Sequence, residues 1–230
     1  SYDSVERQAV SDINLSIKPN TAVAFVGKTG SGKSTLLDII VGLIDVTEGV
    51  ITIDGKTATH QDMIGFRERL GYVPQDVFLL DDTIKSNIAF GVEPEEIDVE
   101  QIAKIAAVAN VDEFVSEMPD GYETMVGERG VRLSGGQIQR IGIARALFRD
   151  PDIIVFDEAT SALDTLTESS IMESIDELKA KKTVIIISHR LNSIRRCDNI
   201  FLMNKGRVVA SGTYEHLYET SSQFRKMAQS

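Results

Sequence analysis

Eight consecutive residues have the composition and order of a phosphate-binding loop. They are Gly27, Lys28, Thr29, Gly30, Ser31, Gly32, Lys33 and Ser34. Glycines allow the backbone to curl around a phosphate with its N–H groups turned inward, and a helix starting near Thr35 adds the positive end of its dipole. Lys33 would reach the β- and γ-phosphates of a nucleoside triphosphate, and Ser34 would ligate Mg²⁺. The loop and Thr35 therefore predict a nucleotide site.

Two adjacent carboxylates follow an apolar segment later in the chain. The segment Ile153–Phe156 is typical of a buried strand, and Asp157 and Glu158 come directly after it. Many strands end in acidic turns, so the pattern is weak by itself. It gains force roughly 120 residues after a phosphate loop, because Asp157 can then hold Mg²⁺ and Glu158 can polarise the attacking water.

A second anion-binding pattern is the pentapeptide LSGGQ. Its residues are Leu133, Ser134, Gly135, Gly136 and Gln137. It opens a predicted helix, so its serine and glycine N–H groups lie at a helix N-terminus, where anions bind. Taken alone, a Ser-Gly-Gly sequence fits an ordinary loop equally well. Two phosphate-binding patterns in one chain nevertheless require an explanation.

The hydrophobic pattern predicts the scaffold that positions these residues. Apolar runs rich in β-branched residues predict strands buried on both faces at Ala22–Val26, Ile153–Phe156 and Val184–Ile187. Helical patterns occur at Thr35–Val41, Gln137–Phe148 and Thr167–Lys179. Alternating segments predict an antiparallel annex at Ile13–Ile17, Val50–Ile53, Ile200–Met203 and Arg207–Ala210. The alternation of strands and helices predicts an α/β fold with ligands at the strand carboxyl ends.

Helices dominate between about residues 76 and 149, which predicts an inserted helical lobe. Two of its helices are predicted at Gln101–Ala107 and Val111–Glu117. Acidic residues precede and begin one helix, at Glu93, Glu95, Glu96, Asp98 and Glu100. Solvation and helix capping explain this cluster better than a metal site, because no His or Cys lies nearby.

Composition limits the functions available to the chain. Its 230 residues suit one large domain or a core with a smaller lobe. A formal charge of −11 argues against nucleic acid as the main partner. The single cysteine, Cys197, suits a reducing compartment and is interpreted as a packed thiol. No run approaches the length of a membrane helix, and no signal-peptide pattern is present.

Together, the phosphate loop, LSGGQ and the run IIVFDEATSALD from Ile153 to Asp164 resemble the nucleotide-binding domain of ATP-binding cassette (ABC) proteins over essentially the whole chain. The resemblance implies a phosphate-loop NTPase (RecA-like) core with a mainly parallel sheet, an antiparallel β annex and an inserted α-helical subdomain. Residues 1–75 and 150–230 would form the core with its annex, and residues 76–149 the helical subdomain. ATP and Mg²⁺ would be bound, and ATP would be hydrolysed.

The resemblance also implies a two-subunit site. Two such domains would meet head to tail, most simply as a homodimer, and LSGGQ of one would close on the γ-phosphate held by the loop of the other. Ser161–Asp164 would cross to the opposite subunit. The dimer would close on binding ATP and reopen after hydrolysis, and this cycle would power transport of a substrate.

Further single residues acquire roles through the resemblance. Tyr2 would stack on adenine, with a packed strand-end tyrosine as the alternative. Gln75 would reach Mg²⁺ and the attacking water and join the core to the helical lobe. His189 would contact the γ-phosphate. A histidine after a strand is usually structural, but this one follows Val184–Ile187 at the edge where ligands bind.

Two segments are similar to exporter-type members of the family. The first runs from Gln75 to Ile88 and would receive coupling helices of membrane domains, although its Phe78–Leu80 step fits local core equally well. The second runs from residue 118 to 130 and places Glu128 in a loop toward the membrane domain. This similarity implies that membrane domains lie upstream on the same longer polypeptide, since the start of the chain resembles a cut. It also implies a location at the cytoplasmic face of a membrane.

Two other functions remain open at this point. One is a soluble ABC ATPase acting on DNA or ribosomes, which usually carries coiled-coil insertions or a second cassette with a basic linker; neither is present. The other is a regulatory module without turnover, against which Glu158 and His189 speak. One position departs from the family pattern: Ile138 stands where a basic or polar residue usually follows LSGGQ.

Overall fold

The computed structural model describes residues 9–160, 162–178, 181–191 and 193–229. Tyr2 and Ser161, for which the sequence predicts roles in nucleotide binding and subunit contact, lie outside the described residues. In the part of the chain that is described, every helix is too short or too polar to cross a lipid bilayer.

One six-stranded sheet forms the centre of the molecule. The strands are β1 (Ala22–Val26), β2 (Thr52–Ile53), β3 (Lys56–Thr57), β4 (Leu70–Val73), β5 (Ile153–Asp157), β6 (Thr183–Ile187), β7 (Asn199–Asn204) and β8 (Arg207–Gly212). Six of them form the central sheet in the order β4-β5-β6-β1-β7-β8. Every pair in it is parallel except β7 and β8. The predicted α/β fold with a mainly parallel sheet is therefore confirmed.

The two faces of this sheet contribute to two separate hydrophobic clusters. Alternate residues of a strand point to opposite faces, so β7 sends Ile200 and Leu202 into one cluster and Phe201 and Met203 into the other. Helix α1 (Lys33–Ile40) packs in the second cluster through its buried residues Leu36 and Leu37. Strands buried on both faces must be apolar throughout, which explains the continuous hydrophobic runs.

The predicted antiparallel annex is present as two antiparallel pairs, β2–β3 and β7–β8, but its bounds need correction. Ile200–Met203 lies within β7, which pairs in parallel with β1 and so belongs to the main sheet. The four residues are all apolar because both faces of β7 are covered, so the alternating interpretation was wrong. No strand forms at Ile13–Ile17, and Val50–Ile53 contributes only the two-residue β2, antiparallel to β3. The alternating segment at 207–210 does form β8, an edge strand antiparallel to β7.

Strand β4, at the edge of the sheet, has no counterpart among the predicted strands. Its short apolar run is interrupted by Gly71, which obscures the pattern. Helix α6 (Gly135–Phe148) passes so close to this strand that a Cβ on Gly71 would collide with the carbonyl oxygen of Ala146. The interruption is therefore a packing requirement of the helix that follows LSGGQ.

Nine α-helices occur in the described ranges. Besides α1 and α6 they are α2 (His60–Glu68), α3 (Ile84–Ile88), α4 (Val99–Val108), α5 (Val111–Val115), α7 (Thr165–Leu178), α8 (Tyr214–Thr220) and α9 (Ser222–Ala228). Helices α3 to α6 follow β4 and precede β5, and α6 contacts α3, α4, α5 and β4. Short 3₁₀ turns lie at Pro94–Glu96, Gly121–Glu123 and Glu128–Gly130. The division of the domain at residues 76 and 149 stays a prediction.

Two acidic residues of the predicted cluster do cap and begin a helix. Asp98 is the N-cap of α4, and its carboxylate accepts hydrogen bonds from the backbone N–H groups of Glu100 and Gln101 at 2.9 and 3.3 Å. Glu100 lies in the first turn, where a negative charge is favoured by the helix dipole. Local helix chemistry thus accounts for both positions.

Candidate functional site

The segment between β1 and α1 is a tight loop closed by its own backbone. The N–H of Ser31 donates to the carbonyl of Lys28 at 3.0 Å. At Gly27 a Cβ would lie 2.6 Å from the Ser31 hydroxyl and would collide with the Met203 carbonyl, so only glycine fits there. Helix α1 begins directly after Gly32. The loop therefore has the strand–loop–helix setting that the sequence predicted.

Lys33 turns its side chain back into this loop. Its Nζ donates to the carbonyls of Gly27 and Lys28, at 3.1 and 3.4 Å. Burial lowers the pKa of the amine, and the carboxylates of Glu158 and Asp157 oppose that shift. The buried amine is hydrogen-bonded to two carbonyls and attracted by two nearby carboxylates. It is suited to exchange the carbonyl partners for phosphate oxygens.

The hydroxyl of Ser31 gives an independent indication of a ligand. The residue is buried, and in the described part of the chain its Oγ has no hydrogen-bond partner. A buried hydroxyl without a partner is costly, because water has been removed and nothing replaces it. An anion held by the loop would supply the missing acceptor.

Asp157 ends β5 in a half-buried position. Its Oδ2 accepts a hydrogen bond from the Tyr72 hydroxyl at 3.0 Å. Burial raises the pKa of the Asp157 carboxyl, as do the nearby carboxylates of Glu158 and Asp38, while the Tyr72 hydrogen bond and Lys33 counteract the rise. Burial and the neighbouring Asp157 carboxylate raise the pKa of the Tyr72 hydroxyl. Tyr72 thus fixes one oxygen of Asp157, a contact that the sequence did not predict.

Glu158 and His189 form a direct contact. The Nε2 atom of His189 lies 2.7 Å from Oε1 of Glu158. The backbone of Glu158 has a φ of 51°, in the left-handed region that a glutamate rarely adopts, and its N–H donates to Ile187 at 2.9 Å. Strained backbone of this kind persists only where surrounding contacts impose it, and it concentrates at functional sites.

The LSGGQ pentapeptide begins α6 with a capping box. Ser134 is the N-cap: its Oγ accepts from the N–H of Gln137 at 3.3 Å, and its own N–H donates to the Gln137 side chain at 2.8 Å. Ser134 and Gly135 are exposed. A Cβ on Gly135 would contact Ala162, and one on Gly136 would lie 3.4 Å from the Ala162 carbonyl. The motif therefore faces solvent and borders the loop after Glu158.

Asp164 has a similar local role at the start of α7. Its carboxylate accepts from the backbone N–H groups of Leu166 and Thr167 and from the Thr167 hydroxyl, at 3.1, 3.0 and 2.7 Å. The hydrogen bonds from Thr167 hold the pKa of Asp164 below its ordinary value. Asp164 is exposed. The structure therefore shows Asp164 as a helix cap at the surface.

Gln75 is exposed in the loop that follows β4. A cavity of about 220 Å³ adjoins it, with Gly135, Ile138, Gln139 and Ala162 among the lining residues. Gln75 thus lies beside the start of α6. Ile138 packs against the main core cluster, which explains its apolar character at a position that is usually polar.

An ion pair between buried Glu168 and the partly exposed Arg190, which follows His189 in the chain, was not predicted. Glu168, on α7, accepts from Thr160 and from Arg190, the residue after His189. The available sequence pattern was the spacing of Glu168, Ile171 and Ile175 at i, i+3 and i+7, which places the carboxylate on the buried face of the helix.

The site residues follow the carboxyl ends of three adjacent strands of the central sheet. β5, β6 and β1 are consecutive neighbours, and their carboxyl ends lead to Glu158, to His189 and to the phosphate loop. Parallel α/β sheets bind ligands at this edge. A parallel sheet with such a loop on a central strand and an Asp-Glu pair nearby defines a phosphate-loop nucleotide-binding protein.

The family within this class is shown by comparison with known proteins. The family model described as ABC transporter matches residues 10–161, and the chain belongs to this family. The resemblance based on the phosphate loop, LSGGQ and the run from Ile153 to Asp164 is thereby confirmed.

Individual relatives support the exporter branch. A heterocyst differentiation ATP-binding protein, HepA, of Nostoc sp. is 43% identical over 221 residues, covering 96% of this chain and 36% of that protein. A Staphylococcus aureus protein whose name describes a multidrug export ATP-binding/permease protein is 44% identical over 227 residues, covering 94% of this chain and 39% of that protein. The solved structure of a bacterial Atm1-family ABC exporter with ATP bound has a TM-score of 0.85 and 39% identity, covering 91% of this chain and 37% of that one.

These matches agree on the type of domain and on its share of a larger protein. The prediction of an exporter-type ABC nucleotide-binding domain is confirmed, and a soluble ABC ATPase acting on DNA or ribosomes is not favoured. The chain spans less than two fifths of the length of these relatives. Nucleotide binding follows from membership of the family.

Proposed function

We propose that this chain hydrolyses ATP and that hydrolysis powers export of a substrate by a larger membrane protein. The observation that carries the proposal is the 2.7 Å contact between His189 Nε2 and Glu158 Oε1 beside the phosphate loop. A carboxylate with one oxygen on a histidine keeps its other oxygen for a water molecule. This arrangement suits in-line attack of water on a γ-phosphate.

The proposed division of labour follows from the chemistry of each group. Lys33 exchanges its carbonyl partners for β- and γ-phosphate oxygens and offsets their charge. Glu158 orients the attacking water and accepts its proton. His189 holds Glu158 in place before ATP binds, and the same Nε2–H then exchanges this partner for an oxygen of the γ-phosphate. Phosphoryl transfer needs little covalent chemistry from a protein, so positioning and charge stabilisation account for the rate.

Mg²⁺ fits the donors present at this site. Magnesium prefers oxygen ligands and usually takes one or two carboxylates along with substrate phosphates, and Ser34, Asp157 and Gln75 offer a hydroxyl, a carboxylate and an amide oxygen. The described residues contain no cluster of three or more His, Cys, Asp or Glu side chains that would form a metal cage without substrate. When bound, the ion would neutralise charge on the phosphates. Tyr72 keeps one Asp157 oxygen in a fixed position for it.

A second copy of the chain is proposed to complete the site. Ser134 and Gly135 are exposed at the N-terminus of the 14-residue helix α6, where backbone N–H groups and the helix dipole favour an anion. In a head-to-tail homodimer these groups would meet the γ-phosphate held by the partner's loop, and Asp164 would lie in the loop that crosses between subunits.

The proposed membrane partner would dock on the segment that follows Gln75. Phe78 and Leu80 are 58% and 42% exposed, whereas Leu79 between them is fully buried. Leu79 therefore satisfies the local-core interpretation, and its two neighbours offer apolar surface to coupling helices. Exposed Glu128 belongs to the second exporter-like segment. Permease domains on the same polypeptide, and a position at the cytoplasmic face, complete the proposal; the transported substrate would be selected by those domains.

The test is the Glu158→Gln variant of this chain. Hydrolysis should fall by at least ~100-fold, since a water-orienting base is lost, while ATP affinity stays within about twofold because the phosphate loop is intact. Light scattering should then show the 25.3 kDa chain doubling in mass with Mg-ATP. Glu219→Gln, at an exposed position on α8, is the matched control and should change neither quantity.

Two results would count against the proposal, each against a different part. Full hydrolysis in Glu158→Gln would refute the role of the glutamate and of its contact with His189. A persistent monomer with ATP demonstrably bound would refute closure of two copies around the nucleotide.

A further inference from the structure

Glu168 is a buried carboxylate in which each oxygen has its own partner. The residue is 6% exposed. Its Oε1 accepts from the Thr160 hydroxyl at 2.7 Å, and its Oε2 accepts from Nη1 of Arg190 at 2.8 Å. A buried charge is tolerated only when it is paired and hydrogen-bonded in this way, so the three side chains form one unit.

This unit connects the segments that carry the two reactive side chains. Thr160 lies two residues after Glu158, and Arg190 directly follows His189. Arg190 Nη1 also donates to the carbonyl of Leu163 at 3.0 Å, which ties the same loop at a second point. Glu168 is therefore hydrogen-bonded to the segment that follows Glu158 and to the residue that follows His189.

We infer that Glu168 is a positioning residue that, through Arg190 and Thr160, sets the separation of His189 and Glu158. The strained backbone of Glu158 calls for such support, because a left-handed glutamate relaxes unless its neighbours are held. The side chain of Glu168 is hydrogen-bonded to Thr160 and Arg190, so its effect on the Glu158–His189 contact passes through these two residues. The inference rests on the proposed hydrolytic role of this pair.

The primary test is Glu168→Gln, which keeps the size of the side chain and removes its charge. We expect kcat for ATP hydrolysis to fall about tenfold or more, because small misplacements of reacting groups are costly, with KM for ATP within about twofold of the unchanged chain. Glu173→Gln is the matched control, on the same helix. Glu173 pairs with Arg196 at 3.2 Å in a surface ion pair, so its loss should leave kcat and KM unchanged.

A spectroscopic readout separates positioning from general loss of structure. The chain has three histidines, His60, His189 and His216, so the ring signals of His189 can be assigned by NMR with a His189→Gln variant. Glu168→Gln should move the His189 signals and leave those of His60 and His216 in place. Glu173→Gln should move none of them.

A second variant keeps the test decisive if Glu168→Gln fails to fold. Arg190→Lys retains the charge but loses the planar group that reaches both Glu168 and the Leu163 carbonyl, and it should give the same fall in kcat and the same shift of His189. Normal kcat in a folded variant, or a reduced kcat with unmoved His189 signals, would overturn the inference. Hydrolysis that survives Glu158→Gln would instead overturn the proposed function on which it rests.

Discussion

The two anion-ready regions of this chain are assembled in opposite ways. Around the phosphate loop, residues far apart in sequence meet: His189 reaches Glu158, and Tyr72 reaches Asp157. At LSGGQ, by contrast, the polar groups are used within a single helical turn, where Ser134 and Gln137 cap each other. The first region brings together residues from several strands of this chain, whereas the second is an exposed helix end. In the proposed homodimer the two regions of different copies would meet at one nucleotide.

The largest expected effect is a loss of ATP affinity when the phosphate loop, but not LSGGQ, is altered. Lys33→Ala should weaken ATP binding at least about tenfold, because a charge-assisted contact to phosphate is worth about 1.5–3 kcal/mol. Isothermal titration with ATP measures this. Lys56→Ala, an exposed lysine on β3, is the control and should bind normally. Unchanged ATP affinity in Lys33→Ala would contradict the assignment of the phosphate loop as the nucleotide-binding region.

Dimerisation should respond to the second region and not to the first. In the Glu158→Gln background, Ser134→Arg should abolish the ATP-dependent doubling of mass, since a long side chain would fill the proposed contact with the partner. Binding of ATP by the monomer should stay within about twofold. Ser116→Arg, at an exposed serine after α5, should still dimerise. If Ser134→Arg instead weakened monomer binding, LSGGQ would belong to the same site as the phosphate loop.

A smaller effect distinguishes capping from ligand binding. Ser134→Ala removes the N-cap of α6 and should lower the free energy of unfolding by about 1 kcal/mol, measured by urea denaturation. Thr59→Ala removes the corresponding capping box of α2 and should cost a similar amount. Only Ser134→Ala should also weaken the ATP-dependent dimer. Equal behaviour of the two variants in dimerisation would show that the Ser134 hydroxyl acts solely as a cap.

The smallest effect is a pH dependence at Asp164. Because hydrogen bonds hold its folded pKa below the ordinary value, Asp164 stabilises the fold above the unfolded pKa of about 4. That stabilisation is lost as pH falls through the lower folded value. Asp164→Asn should therefore lower Tm at pH 7 and differ less from the unchanged chain near pH 3. A Tm difference that does not shrink at low pH would contradict the capping charge.

The sequence predicted those parts of the molecule whose chemistry is local. β1, β5 and β6 stand out because strands covered on both faces must be apolar throughout. The phosphate loop and LSGGQ are visible because consecutive glycines and serines shape their own backbone. The roles given to their single residues, to Gln75 and to His189 stay predictions, to be decided by the experiments above.

The parts that escaped prediction depend on distant contacts. β4 was missed because Gly71 interrupts its apolar pattern. A glycine is needed there because Ala146 of α6, some 75 residues later, packs directly against it. β7 was assigned to the wrong sheet because strand order is set by packing and not by the pattern of one segment. The helical spacing of Glu168 indicates a buried carboxylate, but its pairing with Arg190 is visible only in the folded structure, as is the partnerless hydroxyl of Ser31.

The close approach of α6 to Gly71 links the packing of this helix to β4. The Ala146 carbonyl rests on β4, and Ser134 stands at the other end of a helix of 14 residues, which is about 21 Å long. A side chain at position 71 would collide with the Ala146 carbonyl, so the glycine that hides β4 in the sequence also sets how closely the helix carrying LSGGQ can approach the sheet.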